Sequence, residues 1–525
     1  MTALLTVTSL SVDYGPDIPA LRGVSLTIGR GETVAIVGES GSGKTTLARA
    51  VLGLLPPAAR TSEGEATLGD TDLLALDEAG WRSLRGTRIG YVPQDPGTSL
   101  NPTRRVGDQV TESLRAHGAV RDPDAKRRAD EALEAAGIPD APRVARAWPH
   151  ELSGGMRQRA LIAGAFVAGP ELIVADEPTS ALDATVQRRV LDHLGALARD
   201  RGTSLLLITH DLAIALQRAD RVIVMKAGEV VDAFAPSERS RAGRAPYVAE
   251  LLDAVPSPRH ALTRPLPDRS DVLLSVRGLS KRFGRTVAVD DASFDVVRGT
   301  TFALVGESGS GKTTLARTVL GLASPTAGEV RFDGVETTAQ RGEGLRELRR
   351  RIQLVPQNPY SSFDPRIPIR RAIAEPLEVF RVGTRRERSE RVDELLEQVA
   401  LPRSFGGRRP GELSGGQLQR AAIARAIALR PELLVCDEPV SALDVSVQAQ
   451  ILDLLRTLQG DTGLAYLFIT HDLGVVAEIA DDVAVMGGGR IVEQGPIRRV
   501  FGQPNDPLTR DLLAAAPDLS PEKRS

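Results

Sequence analysis

Two stretches of this sequence repeat glycine, lysine and threonine at one spacing: Gly38…Gly43-Lys44-Thr45 and Gly306…Gly311-Lys312-Thr313. Binding a polyphosphate calls for many donors and little bulk. Glycines let backbone N–H groups come close to the phosphates, and a helix opening at the lysine points its positive end at them. The loops read GESGSGKTT in both copies. They nominate Gly38, Ser40, Gly41, Ser42, Gly43, Lys44, Thr45 and Thr46, then Gly306, Ser308, Gly309, Ser310, Gly311, Lys312, Thr313 and Thr314, as phosphate contacts. Lys44 and Lys312 are expected to reach the β- and γ-phosphates of a nucleotide, and the hydroxyls of Thr45 and Thr313 to hold Mg2+. Two nearly identical copies, each after an apolar run, argue against a chance Gly-rich turn.

Further downstream, LIVADE (172–177) and LLVCDE (433–438) each place two acids just past an apolar run. The first acid, Asp176 or Asp437, suits Mg2+, through water. The second, Glu177 or Glu438, suits polarising an attacking water as general base. A solvated turn is the alternative for a single such pair; recurrence downstream of a phosphate loop favours chemistry. LSGGMRQR (152–159) and LSGGQLQR (413–420) open a helix with a serine and two glycines, Ser153, Gly154, Gly155 and Ser414, Gly415, Gly416. A hydroxyl, free N–H groups and a helix dipole make an anion site, although the motif alone is also a plain helix cap. His210 and His471 follow apolar runs at matched distances after Asp176 and Asp437, which favours a γ-phosphate contact over a structural role. Gln94 and Gln357, in YVPQDP and LVPQNP, are placed to offer an amide to Mg2+ or to the γ-phosphate. Tyr14 and Phe283, early in each half, are placed to stack on adenine; a core or surface role is the alternative.

The elements that must position these residues come from a duplication. The phosphate loops lie 268 residues apart (306 − 38), and from LSGG onward every motif repeats at 261 (413 − 152). We expect a first domain over 1–235, a short helical tail and linker over 236–271, a second domain over 272–500 and a helical tail over 501–525. Within the linker, 257–271 reads as the flexible piece. The tail APYVAELLDAVP (245–256) is echoed by DPLTRDLLAAAP (506–517). Buried parallel strands are expected over 33–37, 172–175, 205–208, 433–436 and 467–469. Residues 106–148 and 368–408 carry helical spacing and no strand signal, so each reads as a helical subdomain inserted in an α/β core.

Composition excludes several classes. A net charge of -2 gives no global field for nucleic acid or anionic lipid, and six histidines form no metal-like cluster. A single cysteine, Cys436, rules out an internal disulfide and a cysteine-ligated zinc or iron–sulfur site. The opening residues lack the pattern of a signal peptide, and no run nears the ~18 apolar residues of a membrane helix. The chain is therefore expected in the cytoplasm, reaching a membrane only by docking on other subunits.

Over nearly its whole length the sequence resembles the ATP-binding cassette family, whose Walker A, Q-loop, signature, Walker B, D-loop and H-loop motifs occur in order, twice. The resemblance implies two P-loop ATPase domains, each a RecA-like α/β core with an antiparallel β subdomain and an inserted α-helical subdomain. It implies ATP and Mg2+ as ligands and ATP hydrolysis as the activity. In that family two cassettes pack head to tail, here within one chain. The ATP held by Lys44 would be completed by Ser414, Gly415 and Gly416, and that held by Lys312 by Ser153, Gly154 and Gly155. VPQDPGTSLNP (92–102), VPQNPYSSFDP (355–365), WPHELSGGMRQR (148–159) and the two tails look like those of oligopeptide, dipeptide and nickel importers, fused as in glutathione importers. Such motors sit at the cytoplasmic face of the membrane. Their partners are two transmembrane permease subunits and an extracellular solute-binding protein, with the helical regions after Gln94 and Gln357 as docking surfaces. The cysteines that often bind a cluster near the end of the first type are absent, and the His-Pro-Tyr of the tail reads Ala245-Pro246-Tyr247 and Asp506-Pro507-Leu508. The alternatives are an exporter motor and a soluble twin cassette acting on ribosomes or DNA. The short gap between halves and the lack of zinc cysteines argue against the soluble kind.

Overall fold

In a computed structural model, described over residues 2–15, 18–179, 182–238, 243–258, 261, 271–441 and 443–516, the chain divides into two units, the second beginning in sequence at Pro256. The expected linker 257–271 lies mostly outside the described residues.

The first unit is built on a six-stranded sheet. Its order is Ile89–Val92, Leu172–Asp176, Ser204–Ile208, Thr33–Val37, Arg221–Lys226 and Glu229–Phe234. Neighbours run parallel except the last pair, which is antiparallel. The middle strands are aliphatic and buried along their length, as strands covered on both faces must be. The second unit repeats the order with Ile352–Val355, Leu433–Asp437, Ala465–Thr470, Thr301–Gly306, Asp482–Gly487 and Arg490–Pro496. Each expected strand is present, 33–37 at its expected bounds and the others longer by one to three residues.

This order decides where the chemistry lies. Thr33–Val37, Ser204–Ile208 and Leu172–Asp176 are adjacent and parallel, so their carboxyl ends open on one edge. That edge is where ligands bind in open α/β sheets. The phosphate loop, His210 and the acid pair follow those three strands.

A four-stranded antiparallel sheet adds Tyr14 at the end of Ala3–Tyr14 in the first unit and Phe283 at the end of Val272–Phe283 in the second. The inserted regions are helical, with no strand between 93 and 171 or between 356 and 432 among the described residues. They differ in detail. The first has Val106–Val110, Glu112–Ala116, Asp122–Ala135 and Ala141–Arg146; the second has Ile369–Val379 and Arg385–Gln398. The first pair meets at Thr111, whose hydroxyl and backbone N–H both donate to the Gly107 carbonyl, at 3.1 and 3.2 Å. Both tails hold a short helix, Pro246–Ala254 and Pro507–Ala515. Among the described residues no helix is long and apolar enough to cross a membrane.

Candidate nucleotide sites

Each phosphate loop needs its glycines for a stated reason. Gly38 has φ +156°, and a Cβ there would lie 2.2 Å from the Met225 carbonyl oxygen. Gly306 repeats this with φ +153° and Met486 at 2.2 Å. Any side chain would push the loop off the neighbouring strand and fill the cradle. Gly43 and Gly311 cap the helices Lys44–Val51 and Lys312–Val319 in the left-handed region. Gly41 and Gly309 have open space above them, and Ser40 and Ser308 are exposed beside them, while Ser42 and Ser310 are buried.

Both lysines are buried and fold back over their loops. Lys44 Nζ donates to the carbonyls of Gly38 at 2.7 Å and Glu39 at 2.8 Å, and to Ser42 Oγ at 3.4 Å. Lys312 does the same with Gly306 at 2.8 Å, Glu307 at 2.8 Å and Ser310 at 3.4 Å. Each ammonium thus stands over its glycine-rich loop at the start of a helix, where a polyphosphate would meet it.

Opposite the lysines stand the acids. Thr45 Oγ1 donates to Asp176 Oδ1 at 3.4 Å, and Thr313 Oγ1 to Asp437 Oδ1 at 3.4 Å. Burial pushes the Asp176 carboxyl above the ordinary range, and the charge of Glu177 adds to it; the same two causes act on Asp437 through Glu438. A buried carboxylate with a hydroxyl beside it is a donor set that suits a hard cation such as Mg2+. Among the described residues no group of three or more His, Cys, Asp and Glu side chains could hold a metal, so any Mg2+ here would rely on Thr, Asp and phosphate oxygens.

Glu177 and Glu438 behave oppositely. Burial alone would raise Glu177, but the hydrogen bond and charge of His210, then Lys44 and the Gln94 amide, hold it below its ordinary value. Glu438 is held down in the same way by His471 and Lys312. Gln94 Nε2 donates to Glu177 Oε2 at 2.8 Å, and Gln357 Nε2 to Glu438 Oε2 at 2.9 Å. His210 Nδ1 lies 3.4 Å from Glu177 Oε2, and His471 Nδ1 lies 3.2 Å from Glu438 Oε1. Two adjacent acids with affinities driven apart suit two roles, one on a cation and one as an ionised base.

Backbone strain aims the base. Glu177 and Glu438 have φ of +46° and +47°, a region that disfavours side chains and stores about 1–3 kcal/mol per residue. Each is pinned by its N–H, which donates to the carbonyl of Ile208 or Ile469 at 2.9 Å. The turn ends the strand abruptly and swings the carboxylate to the histidine and glutamine. Composition gives no signal for this conformation.

Tyr14 and Phe283 are placed differently. The Tyr14 hydroxyl lies 3.5 Å from Thr46 Oγ1, on the phosphate-loop helix. Phe283 is 55% exposed, with Lys281 Nζ over its ring at 4.9 Å from the centre. Ser153 and Ser414 cap the helices Gly154–Phe166 and Gly415–Ile427. Their hydroxyls accept the N–H groups of Met156 and Gln417, each at 3.3 Å. The two glycines after them divide the work. A Cβ on Gly155 would lie 2.4 Å from Val186, and on Gly416 2.3 Å from Val447, so both are packing requirements. Gly154 and Gly415 have their nearest neighbours at 3.4 and 3.6 Å and leave the helix start open. Of the D-loops, Ser180, Ala181 and Ala442 lie outside the described residues. Cys436 is fully buried, and burial, then Asp437, pushes its thiol far up. Motif spacing assigns no role to Gln158 and Arg159 of the signature tail, although they recur as Gln419 and Arg420.

A family model described as "ABC transporter" matches residues 21–180 and 289–441. The oligopeptide transport ATP-binding protein OppD of Mycobacterium tuberculosis is 40% identical over 614 residues, covering 100% of both chains. The glutathione import ATP-binding protein GsiA of Salmonella typhimurium is 41% identical over 563 residues, covering 99% of this chain and 90% of that protein. Among solved structures, cbiO1 of Clostridium perfringens, part of the ABC transporter complex cbiONQ, is 29% identical with a TM-score of 0.42, over 45% of this chain and 92% of its own.

Proposed function

The chain belongs to the ABC transporter family, and on that premise we propose that it is the ATP-hydrolysing motor of an importer for peptides or a related small solute such as glutathione. The observation that carries this reading is the pair of complete catalytic corners in one chain. In each, a lysine, an Asp–Thr pair and a Glu held by histidine and glutamine converge on one sheet edge.

Lys44 and Lys312 neutralise phosphate charge. Thr45 with Asp176, and Thr313 with Asp437, would hold Mg2+, which supplies further neutralisation of the phosphate oxygens. Glu177 and Glu438 polarise the water that attacks the γ-phosphate in line, and His210, His471, Gln94 and Gln357 hold those carboxylates in place. Tyr14 and Phe283 stack on adenine. Each ATP is completed by the Ser-Gly-Gly of the other half, and fusion in one chain favours that pairing by raising effective concentration. The partners are two transmembrane permease subunits, with an extracellular solute-binding protein that selects the solute. The motor is peripheral, at the cytoplasmic face.

Deleting the gene and following uptake of labelled oligopeptides and glutathione tests the proposal. Uptake of at least one class should fall, and wild-type chain but not a Lys44→Ala/Lys312→Ala variant should restore it. Unchanged uptake alongside normal ATP turnover by the purified chain overturns the importer reading and leaves the ATPase standing.

A further inference from the structure

In the first unit two consecutive residues of the signature tail tie its helix to two different segments, and in the second unit the arginine tie recurs. Arg159 Nη1 donates to the Gly137 carbonyl at 2.5 Å, and Arg420 Nη1 to the Val399 carbonyl at 3.0 Å. Both carbonyls end helices of the inserted subdomain, Asp122–Ala135 and Arg385–Gln398. These arginines are the fixed link.

The preceding glutamines face the other way. Gln158 and Gln419 are each 1% exposed, among apolar helix neighbours such as Ile162 and Leu418. Gln158 Nε2 makes a long hydrogen bond, 3.4 Å, to the carbonyl of Pro93. Pro93 immediately precedes Gln94, the residue that holds Glu177. The other amide atom, Gln158 Oε1, is buried without a partner, and so is Gln419 Nε2 in the second unit. Buried amides are ordinarily satisfied, and an orphaned one is destabilising. Both halves nevertheless keep it, at one position under the strand that leads into the Q-loop. In the first unit the amide nitrogen reaches the Pro93 carbonyl at that strand's exit, and in the second the amide nitrogen is buried without a hydrogen-bond partner. A buried polar group set between the signature helix and the exit of that strand is placed to couple the two segments.

We propose that Gln158 and Gln419 are positioning residues for ATP hydrolysis: their buried amides register the signature helix against the segment that carries Gln94 and Gln357. They act through those glutamines on Glu177 and Glu438 and touch no substrate. This rests on the ATPase reading.

The test replaces both amides by a side chain of similar length without a donor, Gln158→Met with Gln419→Met, in the full chain. Removing a buried amide whose bonds are incomplete leaves the melting temperature equal or raises it. If the amides couple the two segments, kcat falls about fivefold or more while KM for ATP stays within about twofold. Hydrogen exchange supplies a readout besides activity. ATP-induced protection of Gly154–Phe166 and Gly415–Ile427 should be lost, while protection of the phosphate loops persists. Unchanged kcat and exchange overturn the proposal. A joint loss of kcat, ATP affinity and melting temperature also overturns it, since that is a purely structural role. The Glu177→Gln/Glu438→Gln chain is the control: if it turns over ATP normally, the catalytic assignment has failed, whatever the methionine variant does.

Discussion

The corner around Glu177 and the corner around Glu438 use the same bonds at nearly the same lengths. The Thr–Asp contact is 3.4 Å in both, and the Gln–Glu bond is 2.8 Å in one and 2.9 Å in the other. The inserted helical regions share no such match. One begins with two short helices broken at Thr111, and the other with one continuous helix that tolerates Pro376. Where the first has Gly107 packed near Ala145, the second has Arg370 paired with Asp393. Phosphate chemistry demands one geometry and permits little drift. The surface of the inserted regions lies outside that chemistry and is free to diverge between the halves.

The strongest way to break this comparison is to remove the bases one at a time. Glu177→Gln and Glu438→Gln should each lower ATP turnover by the same factor. Together they should abolish about 10²–10⁴-fold of the rate while ATP stays bound, because the amide keeps the shape but cannot polarise water. Turnover and nucleotide retention measure both effects; unequal single variants would show that the corners are equivalent in geometry only.

Next in size is the loop. Gly38→Ala and Gly306→Ala each set a Cβ 2.2 Å from a strand carbonyl. Each should cost about 2 kcal/mol or more of stability and weaken ATP binding at its own site, read by thermal melting and nucleotide titration.

The signature glycines sharpen the contrast between packing and openness. Gly155→Ala and Gly416→Ala should cost about 1–3 kcal/mol through Val186 and Val447. Gly154→Ala and Gly415→Ala should leave the melting temperature nearly unchanged, so that any loss of turnover there reports on function.

The smallest expected effect concerns the signature-helix cap, which differs between the halves. Ser414 and Gln417 form a reciprocal capping box, with the Ser414 N–H donating to Gln417 Oε1 at 3.0 Å. Met156 takes that position in the first half and has no acceptor to offer. Gln417→Met should cost, and Met156→Gln should gain, about 0.5–1 kcal/mol in denaturant unfolding.

Much of the site was legible because its parts are local. A Gly-rich loop before a lysine-headed helix, an aliphatic run ending in Asp-Glu and a serine opening a helix each follow from backbone conformation and burial over a few residues. The duplication then made every position a comparison with itself. The uses of Gly155 and Gly416, the left-handed turn at Glu177 and the free or bonded state of the Gln158 and Gln419 amides were not legible. Each depends on an atom far away in sequence, such as Val186, the Ile208 carbonyl or the Pro93 carbonyl.

The sequence by itself determined the inventory: two phosphate loops, two acid pairs, two capped helices and the order in which they occur. Tertiary structure alone decided that Thr33–Val37 lies beside Ser204–Ile208 and that strand beside Leu172–Asp176, which brings Thr45 to Asp176 across 131 residues. Strand order in a parallel sheet is set by how crossover helices pack on its two faces, a property of the whole core rather than of any short run of residues.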